Sequence, residues 1–500
     1  MYELVLRAPQ ALVEPVSDAL MDEWGALSVS VEDADAGTAG EQGRQEVIAG
    51  LKPYGDYKAS GEDWLGAIPA HWSLLRAKRL FREVDERSKT GKEELLSVSH
   101  LTGVTPRRLK NVTMFMAESN VGHKLCRPGD LVINTLWAWM AALGVTRDIG
   151  IVSPAYGVYR PIEDGGILPA YADLLLRTSL YAAEYQRRST GVNSSRLRLY
   201  PEQFLRIPIL IPPLADQALM VRFLVWANGR LDRTIRAKRR VISLLTEQKQ
   251  VIIQRAVTRG FDPGLELKAT GILWLGDIPS HWEVRRLRTL VRRIDQGVSP
   301  LAAGFLAEGD SWGVLKSGCV NRGVFRETEH KRLASDFVVD PAIAVAVGDV
   351  LISRACGSPS LVGSVGRVNS LRYKLILSDK TFRAAFRENV DADFMVYAMN
   401  CRYYRHQVEQ AISGAEGMAN NLPLSSLKDF RFALPPVSEA NEIARRIGDD
   451  TLAIERRIEQ LEAEIQLLRE YRTRLIADVV TGSLDVREAA ANMPHEELAE

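Results

Sequence analysis

Cysteine, long apolar segments and net charge are what this chain has least of. Its four cysteines are Cys126, Cys319, Cys356 and Cys401. They lie far apart with no Cys-x-x-Cys pair, which argues against a disulfide framework or a zinc site. No apolar run approaches the roughly 20 residues needed to span a bilayer. With 64 Lys and Arg against 63 Asp and Glu, the near-zero net charge argues against a surface that is basic throughout and coats nucleic acid, but it leaves local basic patches open. We expect a cytoplasmic protein with reduced thiols and no membrane partner.

Motifs of common enzyme classes are also missing. The sequence contains no Gly-x-x-x-x-Gly-Lys phosphate loop and no His-Glu-x-x-His metal motif. Its two Pro-Pro pairs follow Ile211 and Leu434, where an amino-methyltransferase needs a short polar residue. Asp349, Asp379 and Lys380 are the best candidates for a nuclease-like cluster, but a turn explains the Gly-Asp dipeptide equally well. We therefore expect a chain without catalytic residues, metal or cofactor of its own.

The chain does contain a duplication. The segment Trp64–Trp72, Trp-Leu-Gly-Ala-Ile-Pro-Ala-His-Trp, returns as Trp274–Trp282 with seven identities in nine positions. A Pro-Pro pair at 212–213 returns at 435–436, and the helix-like segments after both pairs share its offset of 223 residues. This period is far too long for a solenoid, so the repeated unit is a whole domain plus a helix. We interpret the Trp motif as an aromatic clasp where each domain begins, with stacking on nucleic acid as the alternative.

The duplication predicts the organisation of the chain. We expect an α+β fold with two tandem domains of short, mixed strands, because Gly-Asp turns precede β-branched runs in both halves. The predicted segments are an N-terminal extension and linker at 1–43, a first domain at 44–213, a central long helix at 214–260, a second domain at 261–436, a C-terminal long helix at 437–486 and a tail at 487–500.

The two long helices have matching patterns and contrasting charges. Their apolar positions step by four and three over about four heptads, which is typical of a helix that packs along another long helix. The first helix carries Arg230, Arg233, Arg236, Lys238, Arg239, Arg240 and Lys249, and the second carries Glu455, Glu459, Glu462, Glu464 and Glu470. This charge difference favours pairing of the two unlike helices over self-association of either.

Basic, aromatic and amide side chains form two groups, one in each half. The first comprises Arg107, Arg108, Lys110, Lys124, Trp137, Trp139, Asn193, Ser194, Arg196 and Arg198. The second comprises Lys316, Asn321, Arg322, Arg354, Lys380, Asn420 and Asn421. Arg and Lys contact phosphates, while Arg, Asn and Ser also read base edges. Each residue taken alone is equally typical of a solvated surface or an ordinary turn, but two such sets on duplicated domains favour DNA binding.

The order of these motifs resembles the specificity subunit of type I restriction-modification systems. In both halves the Trp motif is followed by a Gly-Asp strand, a polar Gly-containing turn (190–193 and 413–416), a Pro-Pro boundary and a long helix. The resemblance covers residues 51–488. The family usually has Glu-Gln after Pro-Pro. Asp216-Gln217 fits this pattern, whereas Glu439-Ala440 has lost the glutamine.

The resemblance implies a non-catalytic DNA-recognition subunit. Each domain would be a target-recognition domain that reads one half of a split site in double-stranded DNA. The two helices would pair as an antiparallel coiled coil with pseudo-two-fold symmetry. Two modification (methyltransferase) subunits and the restriction (endonuclease and translocase) subunits would dock on the chain and bring the methyl donor, ATP and Mg.

Two further interpretations accompany this one. Residues 1–42 separately resemble the N-terminus of a ribosomal-protein methyltransferase, but the cofactor-binding part of that family does not follow. We interpret the segment as an extension, fused or mis-started, without activity of its own. The alternative function for the whole chain is a helical adaptor whose duplicated domains bind proteins rather than DNA.

Overall fold

The computed structural model describes residues 51–110, 119–162, 166–191, 197–321, 323–412, 420–491 and 493. The chain divides into two compact units: the first comprises residues 1–239 and 460–500, and the second comprises residues 240–459. The predicted extension at 1–43 lies outside the described residues. Each unit has its own apolar core, formed around Trp72 in the first and around Trp282 in the second.

The mixed α and β character and the two long helices are confirmed. The helices are α1 (Pro169–Leu176), α2 (Ser179–Arg188), α3 (Pro201–Phe204), α4 (Leu214–Arg259), α5 (Leu287–Leu290), α6 (Ala392–Ala398), α7 (Arg402–Ala411), α8 (Leu424–Asp429), α9 (Val437–Val480) and α10 (Arg487–Ala491). Helices α4 and α9 begin directly after the Pro-Pro pairs, because proline fits the start of a helix but interrupts its interior. None of the described helices combines the length and apolar character needed to cross a bilayer.

The first unit is built on antiparallel strand pairs. Its strands are β1 (Tyr57–Ala59), β2 (Ala67–Pro69), β3 (Ser73–Arg76), β4 (Phe81–Glu83), β5 (Leu96–Ser99), β6 (Gly103–Pro106), β7 (Lys124–Cys126), β8 (Leu131–Ile133), β9 (Leu143–Val145), β10 (Gly150–Val152), β11 (Gly157–Pro161) and β12 (Pro208–Ile211). A four-stranded sheet has the order β4-β11-β8-β9, and β1-β2, β3-β12, β5-β6 and β7-β10 form separate pairs.

The second unit repeats part of this plan with larger sheets. Its strands are β13 (Leu267–Ala269), β14 (Asp277–Pro279), β15 (Glu283–Arg286), β16 (Val291–Gln296), β17 (Ala302–Ala303), β18 (Trp312–Leu315), β19 (Val320–Asn321), β20 (Val324–Phe325), β21 (His330–Leu333), β22 (Val350–Ser353), β23 (Ala355–Cys356), β24 (Val365–Arg367), β25 (Lys374–Ile376), β26 (Thr381–Phe386), β27 (Asn420–Asn421) and β28 (Arg431–Leu434). A six-stranded sheet has the order β16-β26-β22-β24-β20-β19, and a four-stranded sheet has the order β17-β21-β18-β25.

The Gly-Asp dipeptides have the same local role in both units. In the first unit Asp130 accepts two hydrogen bonds from the Arg160 guanidinium on β11, at 2.8 and 2.9 Å. In the second unit Asp349 accepts from Arg383 on β26 at 3.3 Å. Each carboxylate thus precedes one strand and holds an arginine on the strand paired with it, which fixes the turn that starts the strand.

The repeated Trp motif packs inside each unit. Trp72 and Trp282 are fully buried, as expected for an aromatic clasp. His71 Nε2 donates to Asp216 at 2.9 Å, and His281 Nε2 donates to Glu439 at 2.7 Å. The motif therefore ties the start of each domain to the first turn of the long helix in the same unit.

Ion pairs join α4 to α9 within each unit. In the first unit Asp232 pairs with Arg472, and Lys238 Nζ lies 2.8 Å from Glu464 Oε2 with both side chains buried. In the second unit Lys249 Nζ lies 2.5 Å from Glu455 Oε1. Later positions on α4 therefore pair with earlier positions on α9.

Candidate nucleic-acid interface

In the second unit, four predicted residues meet where β22 ends. The backbone N–H of Arg354 donates to the carbonyl of Lys380 at 2.9 Å, and its carbonyl accepts from Leu422 N–H at 2.9 Å. The next residues, on β23, pair with Asn420 and Asn421 on β27. Three segments distant in sequence therefore bring four residues together, and we call this group the second strand-end cluster: Arg354, Lys380, Asn420 and Asn421.

The side chains of this cluster combine a fixed cation with hydrogen-bonding groups. Arg354 Nη1 donates to the Asp379 carbonyl at 2.8 Å, and its guanidinium lies 5.6 Å from the centroid of the Phe382 ring. Lys380 is exposed to solvent. Asn421 Oδ1 is buried and accepts no hydrogen bond from the part of the chain that the structure describes. A fixed guanidinium and an exposed ammonium group beside amide side chains are suited to bind phosphates and base edges.

Two more predicted residues of the second half are Lys316, at the start of an adjoining loop, and Asn321, on the short strand after that loop. Ser353 Oγ donates to the carbonyl of Ser317 at 3.4 Å, which brings the segment after Lys316 to the end of β22. Lys316 Nζ lies 3.6 Å from Glu329 Oε2. Asn321, on β19, has a buried Oδ1 that is unpaired among the described residues. Arg322 lies outside them.

The first unit has a corresponding strand end after β8. The carbonyl of Thr135 accepts from Leu199 N–H at 2.9 Å, as that of Arg354 accepts from Leu422. Arg198 Nε donates to Thr135 Oγ1 at 3.3 Å. Trp137, which follows Thr135 closely in sequence, is exposed. Trp139 is half-buried. The predicted residues Asn193, Ser194 and Arg196 lie outside the described residues.

The remaining predicted residues of the first half lie elsewhere in that unit. Arg107 and Arg108 are on a 3-10 turn (Arg107–Leu109) after β6, where Arg108 Nε lies 3.3 Å from Glu94 Oε2. Lys110 Nζ donates to Ser97 Oγ at 3.5 Å, and desolvation by burial lowers the pKa of its ammonium group.

Lys124 is the least accessible of the predicted cations. It lies on β7 with its ammonium group 4.0 Å from Glu83 and 3.8 Å from Asp85, and its side chain is buried. This placement suits a structural charge, so contact between Lys124 and DNA stays a prediction.

The structure adds residues that the sequence did not single out. Gln296 Nε2 donates to the Asp379 carbonyl at 3.0 Å, and Ser299 donates to the Asp379 carboxylate. In the first unit, Asn134 Nδ2 donates to the Tyr156 hydroxyl at 3.1 Å. Gln296 and Asp379 are about 80 positions apart. No sequence motif marks Gln296, because it is the pairing of β16 with β26 that brings it to Asp379.

The nuclease-like alternative does not assemble. Asp349 precedes β22, whereas Asp379 and Lys380 precede β26, and Ser353 at the far end of β22 pairs with Thr381. The antiparallel register therefore places the two carboxylates at opposite ends of one strand. Within the described ranges, no group of three His, Cys, Asp or Glu side chains is placed to hold a metal ion.

Sequence comparison finds similarity to specificity subunits. The chain is 28% identical over 207 residues to the type I restriction enzyme EcoEI specificity subunit of Escherichia coli, covering 41% of this chain and 34% of that protein. It is 24% identical over 301 residues to the putative type I restriction enzyme MjaX specificity subunit of Methanocaldococcus jannaschii, covering 59% of this chain and 63% of that protein. The matches thus span less than two thirds of either relative.

Further comparisons agree on the kind of protein. The EcoKI specificity subunit of Escherichia coli K12 is 23% identical over 297 residues, which are 58% of this chain and 60% of that protein. No protein-family model matches the chain. The predicted resemblance to type I specificity subunits is confirmed. The relatives named here give no support to the resemblance of residues 1–42 to a methyltransferase.

A solved structure shows a similar fold. A chain from the structural study of complex assembly and conformational transition of the type I R-M system aligns with 83% of this chain and 98% of its own length. The TM-score is 0.53 at 15% sequence identity, so the likeness concerns the fold.

Proposed function

We propose that this chain is the sequence-specific DNA-binding subunit of a type I restriction-modification complex and reads a bipartite site in double-stranded DNA. The observation that carries the proposal is the repetition of one strand-end arrangement in both units. In each, the strand after the Gly-Asp turn is followed by a residue, Thr135 or Arg354, whose carbonyl accepts a hydrogen bond from a buried leucine, Leu199 or Leu422. Arg198 and Asn134 lie beside Thr135 in the first unit, and Lys380, Asn420 and Asn421 lie beside Arg354 in the second. Similarity to proteins named specificity subunits supports the same function.

The long helices fit an antiparallel coiled coil with pseudo-two-fold symmetry. This part of the proposal is supported by the pairs Asp232–Arg472 and Lys238–Glu464 in the first unit and by Lys249–Glu455 in the second. Basic residues of α4 meet acidic residues of α9 in two of these pairs, as the charge pattern predicts.

The chemistry and the partners of the complex are also part of the proposal. The chain recognises DNA without catalysing a reaction, and it binds no cofactor. Two modification subunits supply the methyl donor, and restriction subunits supply nuclease and translocase activity with ATP and Mg. The predicted domain boundaries and the cytoplasmic location belong to this proposal as well.

The proposed function is tested by mapping the methylation pattern of a genome. The full chain is co-expressed with its modification subunits, and methylated adenines are mapped by sequencing. We expect one motif with two specified halves and an unspecified spacer. A continuous motif, or no methylation that depends on this chain, contradicts the proposal.

Binding measurements separate DNA reading from the adaptor alternative. The assembled complex is titrated with specific and scrambled duplexes at two salt concentrations, using Asn421→Ala, Lys380→Ala and the wild type. Loss of a base reader should cost about 1–3 kcal/mol and relax one position, whereas loss of a phosphate contact should weaken both duplexes and reduce the salt dependence. Arg445→Ala, an exposed residue on α9 paired with Asp449, is the control. Equal binding by all variants favours the adaptor.

A further inference from the structure

Each unit carries a short loop of the same construction at its strand end. Residues 134–142, the first knob, are closed by Asn134 N–H donating to Ala142 O at 3.0 Å. Residues 353–364, the second knob, are closed by Ser353 N–H donating to Ser364 O at 2.8 Å. Both knobs contain a 3-10 turn, at Ala138–Met140 and at Pro359–Leu361.

The exposed tips of the two knobs differ in chemistry. In the first knob, Leu136 and Trp137 are 41% and 51% exposed. In the second, the exposed residues are Gly357, Ser358, Pro359 and Ser360. Single exposed apolar side chains are ordinary, whereas contiguous exposed apolar surface marks a site of interaction.

The segment that is hydrogen-bonded to the first knob carries another exposed aromatic ring and a cation. Tyr200 is 45% exposed and follows Leu199, which is bonded to the knob at Thr135. The guanidinium of Arg198 donates to Thr135 Oγ1 and lies 5.5 Å from the centroid of the Tyr200 ring. A cation thus accompanies the apolar tip, which fits a partner that is both anionic and partly apolar.

The first knob is held in one conformation. Asn134 accepts from Leu136 N–H at 3.3 Å through its side chain, and Thr135 Oγ1 donates to Ala155 O at 2.9 Å. Ala141 has a φ of 57°, and it is the only non-glycine residue with positive φ among those the structure describes. Such strained backbone persists where the surrounding structure imposes it, and it is concentrated at functional sites.

We infer that the two halves of the DNA site are read by different chemistry: the first knob, through Leu136 and Trp137, contacts thymine methyl groups in the major groove, and the second knob reads by hydrogen bonds. The C5-methyl of thymine is the apolar feature of the major groove, and a serine-rich tip has no comparable surface to offer it. Arg198 beside the first tip is placed to contact a phosphate. This inference rests on the proposed function and deepens it.

The test removes the methyl group and the tryptophan separately and together. The assembled complex is titrated with duplexes in which deoxyuridine replaces thymine in one half-site at a time. Wild type, Trp137→Ala and Leu136→Ser are compared. The control is Ile149→Ala, because Ile149 is 63% exposed in the same unit but follows β9 at the end remote from the knob.

We expect the effect of the missing methyl group to depend on Leu136 and Trp137 in one half-site only. Loss of each contacted methyl should weaken wild-type binding about fourfold, the equivalent of one buried apolar carbon. The same substitution should have a smaller effect on Trp137→Ala and on Leu136→Ser, because each variant lacks one of the two side chains that contact the methyl groups. In the other half-site, the effect of deoxyuridine should be the same for wild type and all variants. Unchanged thermal unfolding of each variant shows that the fold is kept.

Other outcomes overturn the inference and leave the function intact. Equal weakening of thymine and deoxyuridine duplexes by Trp137→Ala would mean that the indole stacks on bases or contacts the backbone. A wild type insensitive to deoxyuridine in both half-sites would mean that neither knob reads methyl groups. If wild type itself fails to distinguish the bipartite duplex from a scrambled one, the proposed function is what fails.

Discussion

At the scale of single residues, Ala141 occupies a backbone position that the second unit gives to glycine. Its φ is 57°, and the corresponding Gly363 has a φ of 83°. A left-handed conformation costs a non-glycine residue roughly 1–2 kcal/mol, and glycine loses about 0.5–1 kcal/mol in backbone entropy. We expect Ala141→Gly to raise the free energy of unfolding by about 0.5–1 kcal/mol in urea titrations.

Gly363→Ala is the matched reverse change. The added Cβ would lie 2.8 Å from Val408 Cγ2 in addition to the strain at positive φ, so this variant should lose more stability than Ala141→Gly gains. If both variants are destabilised, the first knob is not strained.

Glu184 provides a pH-dependent prediction. Burial raises the pKa of its carboxyl group, hydrogen bonds from Arg187 and Arg188 lower it, and the net pKa lies below the ordinary value. A carboxyl whose pKa is lower in the folded state stabilises the fold above its unfolded pKa of about 4.3, and this stabilisation is lost as the pH falls through the folded pKa. Glu184→Gln should therefore be less stable than wild type at pH 7, and the difference should shrink below about pH 4.3. Denaturant titrations at several pH values measure it; a constant difference would contradict this account.

The types of residue at the candidate site could be predicted from the sequence, but their grouping could not. The sequence marks Arg354 and Asn421 by their side-chain chemistry as candidate DNA contacts, and the structure brings them together through the pairing of β23 with β27. Lys124 was singled out on the same grounds, yet it lies buried near Glu83 and Asp85. A sequence shows which residues are basic. It does not show which carboxylates lie beside each of them, because that depends on how the strands pair.

At the scale of elements, the contact between α4 and α9 contains a buried ion pair. Lys238 Nζ lies 2.8 Å from Glu464 Oε2, and both side chains are almost inaccessible. Lys238→Ala takes the ammonium partner away from the buried Glu464 carboxylate, so it should destabilise the protein by about 3–5 kcal/mol. Replacing both with apolar residues, Lys238→Met with Glu464→Leu, should cost far less. Urea titrations of the two single variants and the double variant give the coupling.

The exposed pair Arg445–Asp449 on α9 is the control for that experiment. Its removal should change the free energy of unfolding by less than about 1 kcal/mol. If the double variant Lys238→Met with Glu464→Leu is as unstable as the single variants, the ion pair itself contributes to stability in a way that apolar packing does not replace.

Long elements were easier to predict than short ones. The period of α4 and α9 was evident over several heptads, and both helices begin after the Pro-Pro pairs as expected. By contrast, the helical segment between Pro169 and Arg188 is interrupted and forms two short helices, α1 and α2. The break is at Thr178, whose hydroxyl donates to the Leu175 carbonyl at 2.8 Å and whose backbone is extended. A single hydroxyl that satisfies the end of a helix leaves no periodic signal.

At the scale of the whole molecule, the duplication predicts modular recognition. Each unit contains its own strand end, its own knob and its own apolar core. Exchanging residues 51–211 for the corresponding domain of a related specificity subunit should therefore replace one half of the methylated motif and leave the other half unchanged. The donor domain should keep the Trp motif, because two of its residues contact the rest of the chain. Pro69 packs against Gly482 and His71 donates to Asp216, and Gly482 and Asp216 lie outside the exchanged segment. Sequencing of methylated adenines in cells that carry the chimera with its modification subunits measures the outcome.

A second chimera with residues 261–436 exchanged should change the opposite half of the motif. If either chimera is stable and alters both halves, or neither, the units do not read independently, because the base contacts would then depend on residues outside the exchanged domain.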